Sequence, residues 1–294
     1  MGDVLKGNFF VDAALAHRIE STDAWVGAES ARMHAQISPE CGAASLPIPG
    51  GCAVIRGMGS PRTQVLGLGM EGSVTALHLE EIEHFFRVRN IQIQIDVCPL
   101  ADRSVPPLLA SSGYTLEGFS NVLVRRLPAQ QFSLDPGADI VVELCAPSEA
   151  ELWAQTVLEG FVGGAAALEE NTAILLSLFH QPGTLCLLAR IGSAPCGAGA
   201  LSIRDNVAAM YGASTIPAFR RKGVQSAMIQ AIMRQAIDTR CEIIYTITEP
   251  GSTSQRNLER QDFRTAYTRA ILIKRLKSSR GFSGSNNRRR VGPA

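Results

Sequence analysis

The sequence predicts an α+β protein built as two tandem halves, and three observations carry that prediction. An apolar run at 207–213 passes through the basic turn Arg220-Arg221-Lys222-Gly223 into 228–237, where apolar residues recur at helical spacing. Elsewhere, β-branched runs bounded by turn residues alternate with helical stretches. Finally, a shift of 151 positions lays Gly72 on Gly223, Ala76 on Ala227, Arg89 on Arg240 and Pro99 on Pro250. The elements around these anchors keep their order, which is the mark of a duplication.

Residues up to about His34 read as mainly helical, and 38–51, rich in proline and glycine, as a loop. A strand at 65–69 leads through Gly72 to a helix near 75–88, a strand at 91–97, a short helix near 107–111 and a strand at 122–127. The second half opens with a strand at 140–144 and a helix at 148–160, followed by strands at 185–190, 197–203 and 207–213. Beyond the basic turn and its helix come a strand at 241–248, a break at Glu249-Pro250-Gly251-Ser252 and a short helix at 254–261. Two closing strands, 263–269 and 270–276, end the half. From Lys277 the chain is polar and basic, the composition of a solvated, disordered tail.

The turn between strand and helix carries chemistry. Amides of a first helical turn have no intrahelical partner, and the helix dipole adds partial positive charge there. Gly223 lets the backbone approach a ligand, while Arg220, Arg221 and Lys222 add full charges. Such an anion cradle suits a pyrophosphate. Neither the P-loop pattern nor the dinucleotide glycine pattern is present.

Pro217, Arg220, Gly223 and the β-branched Val224, at this spacing, resemble the acyl-CoA loop of the GNAT superfamily of N-acyltransferases, written Arg/Gln-x-x-Gly-x-Gly/Ala. Gln225 stands where a small residue is usual, and Asp262-Phe263 where Gly-Phe is expected. The resemblance covers about 139–276 and includes the element order after the cradle. It implies that each half is a mixed, mostly antiparallel sheet with a splayed central parallel strand pair, flanked by helices. The expected organisation is a degenerate GNAT-like domain at 1–130, a linker at 131–138, an acyl-CoA-binding catalytic domain at 139–276 and the basic tail at 277–294.

The resemblance also implies acetyl-CoA as co-substrate. Main-chain groups of Ser214, Thr215 and Ile216 would take the pantetheine arm, and an amide near Ser214 would polarise the thioester carbonyl. Arg220, Arg221, Lys222, Gly223, Val224, Gln225 and Ser226 would take the pyrophosphate, with Asn257 of the short helix a further contact. Family members place a proton-donating Tyr on that helix, but Leu258 fills its place here. Tyr211 and Tyr267 are the replacement acids, and Glu249, ending the strand beside the acceptor cleft, is the base candidate. Each also has a plain structural reading: packed strand tyrosines and a solvated loop glutamate.

The first half differs where that chemistry would be. Gly69 takes the place of Arg220 and Glu71 that of Lys222. A carboxylate beside a pyrophosphate is repelled, so the expectation is one working cradle per chain.

Composition narrows the function classes. With 46% hydrophobic and 19% charged residues and a net charge of +1, nothing calls for nucleic acid or an anionic membrane. No apolar run is long enough to cross a bilayer, and the N-terminus lacks a secretory pattern. Seven scattered cysteines without a CxxC pair support neither a disulfide framework nor a metal site and suit a reducing cytoplasm. None of the five histidines falls near the cradle. The leading reading is therefore an N-acetyltransferase acting on the primary amine of a small molecule, as monomer or homodimer. Small apolar residues at 163–167 with Glu159, Glu169 and Glu170 nearby suit a modest uncharged or cationic amine. A CoA-binding sensor without catalysis and a protein N-acyltransferase fit the same residues.

Overall fold

The computed structural model describes residues 10–57, 60, 63–128, 139–162 and 168–274. The expected linker at 131–138, the loop at 163–167 and the basic tail lie outside the described residues. The first half runs α1 (Ala13–Ile37), β1 (Ala44–Ile48), β2 (Gly51–Ile55), β3 (Gln64–Leu66), α2 (Ala76–Arg87), β4 (Ile93–Val97), α3 (Val105–Ser111) and β5 (Thr115–Arg126). The second runs β6 (Ile140–Leu144), α4 (Ala150–Val162), α5 (Leu168–Phe179), β7 (Thr184–Ile191), β8 (Ala194–Arg204), β9 (Val207–Thr215), α6 (Val224–Asp238), β10 (Ile243–Thr248), α7 (Thr253–Glu259) and β11 (Arg264–Lys274). Three strands, a helix, a strand, a short helix and a long closing strand recur in both halves.

The strands form a single eleven-stranded sheet in the order β1-β2-β3-β4-β11-β5-β10-β9-β8-β7-β6. Apart from β6 at one edge, the order is symmetric about the central β11–β5 pair. Each half contributes one parallel pair, β3 with β4 and β9 with β10. The closing strands are exchanged. β5 of the first half lies antiparallel to β10 from Ile243↔Arg126 to Thr248↔Asn121, and β11 of the second half lies against β4 from Ala270↔Val97 to Lys274↔Ile93. The two sheets expected from the sequence are thus fused into one, because strand pattern specifies a buried face but not the partner on either edge.

Local departures have local reasons. Within the expected loop at 38–51, residues 44–48 form β1, which pairs with β2 across the Pro49–Gly50 turn. The two expected closing strands are one, with a register shift between Ile271 and Leu272 in place of a break. Helix α5 carries no period distinct from the apolar residues around it.

Alternation on β5 assigns the faces. Leu123 packs with Met228, Ile229, Ile232 and Met233 of α6, whereas Val122 and Val124 pack under α1 with Tyr245 and Tyr267. Helix α4 lays Trp153, Ala154 and Val157 on Cys186, Leu188, Ala198 and Ala200. The α1 face also buries charge. Glu20 accepts from Arg269 Nε and Tyr267 Oη at 2.8 Å each, and Asp23 accepts from Arg269 Nη1 at 2.7 Å. These contacts tie the first helix to the last strand across the boundary between halves.

Candidate acyl-CoA site

The parallel pair β9–β10 opens partway along its length. Registered pairs end at Tyr245↔Ala209, yet β9 continues to Thr215 and β10 to Thr248. On its other edge β9 stays paired with β8 as far as Thr215↔Gly197, so only the β10 side is freed. A bulge lies on the opposite edge of β9. Between Ala198↔Ser214 and Ala200↔Tyr211, Gly199 faces two residues, Gly212 and Ala213, and Gly212 adopts φ +68°. A bulge of this kind bends its strand and re-aims the peptide groups that follow. Main-chain groups of β9 from Met210 onward therefore face a widening gap.

At the mouth of the gap lies the basic turn. Ile216 donates its amide to Cys196 O at 3.0 Å, Pro217–Phe219 form a single 3-10 turn, and Gly223 takes φ +87° directly before α6. Arg221 is itself left-handed at φ +65°, a conformation strained for any side chain with a Cβ. Among the described residues, the amides of Arg221 to Ser226 make no hydrogen bond; the first closed helical bond is Ala227 N to Gly223 O at 3.0 Å. Six unpaired donors at one helix start, beside exposed Arg220, Arg221 and Lys222, constitute an anion cradle. The side chains are partly committed. Arg220 Nη2 donates to Gly160 O at 3.1 Å near the end of α4, and Lys222 lies 5.1 Å from the Phe219 ring centre.

Helix α7 brackets the cradle. Asn257 Nδ2 donates to Gln225 Oε1 at 2.5 Å, and Gln261 Nε2 to Ser226 Oγ at 2.8 Å. The Gln225 that departs from the usual small residue thus holds Asn257 at the rim. Leu258 is buried in the α6 core and faces no cleft. Opposite, Gly160 packs so closely on β9 that a Cβ there would lie 2.6 Å from Ser214 Cβ and Oγ and 3.0 Å from Thr215 N. Sequence reasoning did not single out Gly160; its signal was an isolated glycine inside a helical pattern.

The proton-transfer candidates separate. Glu249 is exposed directly after β10, at the open end of the gap. The Tyr211 hydroxyl is in hydrogen-bond contact with Ser202 Oγ and with Thr184 Oγ1 (3.2 Å), so it points to β7 and β8. Burial pushes its pKa up to about 12, against the pull of those two hydroxyls. Tyr267 donates to Glu20 under α1, away from the gap, and burial with the nearby Glu20 charge raises its pKa far above the ordinary phenol value. Of the three, only Glu249 is exposed.

The corresponding turn of the first half is closed by its own contacts. Met70 N bonds Gly67 O, Asp102 N bonds Gly69 O, and Val74 N donates to Ser104 Oγ at 2.8 Å. Glu71 accepts from the Gly50 amide at 3.2 Å and lies 3.4 Å from His17 Nε2. Of the six amides that correspond to Arg221–Ser226, those of Met70, Val74 and Thr75 are occupied, and a carboxylate stands among them.

A forked parallel pair with free amides at the following helix start defines an acyl-CoA-dependent N-acyltransferase. Residues 151–263 match the sequence model of the Acetyltransferase (GNAT) family. Comparison by sequence with curated proteins finds no match. Among solved structures, a GCN5-related N-acetyltransferase from Kribbella flavida is similar at 14% identity and TM-score 0.57, over 86% of this chain and 97% of that one. One from Sphaerobacter thermophilus matches at 12% identity and TM-score 0.52, over 88% and 93%. A tandem GNAT protein from the clavulanic acid biosynthesis pathway matches at 12% identity and TM-score 0.52, over 75% and 72%. At these identities the likeness is one of fold, and it extends over both halves. No helix among the described residues is long and apolar enough to cross a membrane.

Proposed function

We propose that the second half transfers an acetyl group from acetyl-CoA directly to the primary amine of a small molecule. The observation that carries this reading is the conjunction of the β9–β10 fork with the six unpaired amides at Arg221–Ser226. The pyrophosphate sits on those amides, the pantetheine arm runs along Ser214, Thr215 and Ile216 in place of a strand, and an amide near Ser214 polarises the thioester carbonyl. Asn257 contacts the cofactor through or beside Gln225. Holding thioester and amine in one cleft supplies much of the acceleration, since direct transfer then proceeds without a covalent enzyme intermediate. Glu249 is the group at the rim placed to receive an ammonium proton, directly or through water. The first half, with its turn closed on itself, binds no acetyl-CoA. Seven unpaired thiols, five of them buried, support a reducing, cytoplasmic setting.

Calorimetry with acetyl-CoA tests the reading on the full chain and on the Arg220→Glu, Gly223→Asp double variant. One equivalent is expected to bind the wild type and none the variant. Two equivalents would refute the closed first turn, and no binding by folded wild type would refute the transferase itself. Release of CoA thiol should then be followed with phenethylamine, spermidine and a tripeptide bearing a free N-terminus. Faster turnover of the tripeptide than of both free amines would replace the small-molecule acceptor with a protein one.

A further inference from the structure

Two buried hydroxyls stand on the lips of the β9–β10 gap without a hydrogen-bond partner among the described residues, Thr215 Oγ1 on β9 and Thr248 Oγ1 on β10. Thr248 is 7% exposed. Both look to the face that carries the cradle. Thr215 pairs with Gly197, where a Cβ would meet Val224 Cγ1 of α6 at 2.7 Å, and cross-strand partners share a face. Thr248 pairs with Asn121, whose Nδ2 donates to Gln255 Oε1 of α7 at 3.2 Å. Helices α6 and α7 cover the same face, since Leu258 shares a core with Met228 and Ile229. Three residues beyond the Tyr245↔Ala209 pair, Thr248 stands across the gap from Gly212, two residues before Ser214. In the acetyl-transfer reading, that is where the arm from the cradle ends in the thioester. Buried polar groups are as a rule paired, and here the folded chain supplies neither hydroxyl with a partner. The missing partner is a polar ligand lying in the gap.

The thiolate released by acyl transfer needs such a donor. Leu258 is buried in the core, while Tyr211 and Tyr267 spend their hydroxyls on Ser202, Thr184 and Glu20. We propose that Thr248 donates its hydroxyl to the departing CoA sulfur, while Thr215 holds the arm on the opposite lip. The acceptor nitrogen, its ammonium proton passed to Glu249, attacks the thioester carbon, and the carbonyl electron pair moves to oxygen. On collapse the C–S bond breaks and its electron pair leaves on sulfur. The Thr248 O–H hydrogen-bonds that sulfur as charge develops, and it keeps its own proton throughout. The thiolate then takes the second proton shed by nitrogen, leaving the amide and the CoA thiol. Full charge develops on sulfur in the transition state and is absent from bound acetyl-CoA. The Thr248 contact therefore speeds the chemical step and leaves binding of the thioester unchanged.

This inference rests on the acetyl-transfer reading, and its test reads the sulfur directly, with no acceptor amine present. CoA bound to the full chain is titrated with alkali, following the ultraviolet absorbance of its thiolate, in wild type, Thr248→Val and Thr248→Ser. The bound thiol should titrate about one pH unit higher in Thr248→Val than in wild type, a tenfold change in the equilibrium. Thr248→Ser, which keeps the hydroxyl, should stay close to wild type. The Kd for acetyl-CoA should be the same in all three, and the Tm of Thr248→Val equal or higher, because an unpaired hydroxyl is removed. With whichever amine turns over fastest, kcat of Thr248→Val should fall about tenfold at unchanged KM for acetyl-CoA. Thr215→Val should instead weaken acetyl-CoA binding about fivefold and leave the thiol titration where it was. A bound thiol that titrates alike in wild type and Thr248→Val overturns the Thr248 contact and leaves the transferase standing. A folded wild type that binds neither CoA nor acetyl-CoA overturns both.

Discussion

Replacing Gly160 by alanine sets two magnitudes against each other at the cleft wall. The added methyl carbon would begin 2.6 Å from Ser214 Cβ and Oγ and 3.0 Å from Thr215 N. Carbon contacts relax near 3.5–4.0 Å, so α4 and β9 must part by roughly 1 Å. Overpacking of this kind costs about 1–3 kcal/mol. Alanine in a helix interior recovers about 1 kcal/mol relative to glycine. The net is a loss of about 0–2 kcal/mol, or at most several degrees in Tm at about 2–4 °C per kcal/mol. Function should suffer more than stability, because the displaced groups are those that would hold the pantetheine arm. An ångström of misplacement costs about 10²-fold in rate when orientation supplies the acceleration, so kcat/KM for acetyl-CoA should fall by at least about tenfold. Thermal melting and CoA thiol release measure both quantities on one preparation. A higher Tm with unchanged kcat/KM would refute the reasoning, since helix propensity would then have won and the α4–β9 contact would not shape the cleft.

Arg269→Met strands Glu20 and Asp23 under α1 and should cost about 3–5 kcal/mol in urea denaturation; a loss under 1 kcal/mol would show that the pairing is not what holds α1 to β11. Because burial holds the Glu20 carboxyl above its usual 4.5, the folded chain binds that proton more tightly than the unfolded chain. The stabilisation is complete below about pH 4.5 and is lost as pH rises through the raised folded value. Glu20→Gln stays neutral, so wild type should lose stability relative to it as pH rises from about 4.5 through the raised folded value, and a wild type that instead gains on the variant contradicts this sign. Tyr211→Phe breaks contacts to Ser202 and Thr184 and should cost about 0.5–1.5 kcal/mol with kcat intact. A large loss of kcat would return Tyr211 to the chemistry.

Much of this was legible because the cradle is a local feature. The strand, the turn with Arg220 and Gly223 and the following helix are contiguous, although the helix begins at Val224, four residues before the spacing at 228–237 shows it. The repeat at 151 positions similarly anticipated two halves with one element order. Hydroxyl partners were not legible. Tyr211 and Tyr267 are ordinary strand residues until Ser202 and Glu20, brought in from elsewhere in the chain, claim their oxygens. Strand β1 was hidden by its proline, Pro47, which an edge strand tolerates. The exchange of β5 and β11 left no local trace, because either strand offers the same buried alternation to β4 or to β10.

That exchange bears on how the chain is made. While synthesis proceeds from the N-terminus, β4 emerges early with one edge that its own half never covers. Its partner, β11, is the last described strand to leave the ribosome. An exposed strand edge templates pairing with other chains, and closure between segments so distant in sequence is slow. The first half must therefore wait, partly open, for nearly the whole chain. Yield of active protein should depend on chaperone supply and translation rate more than the final stability suggests, and premature termination before β11 should leave a product that aggregates rather than a smaller working domain.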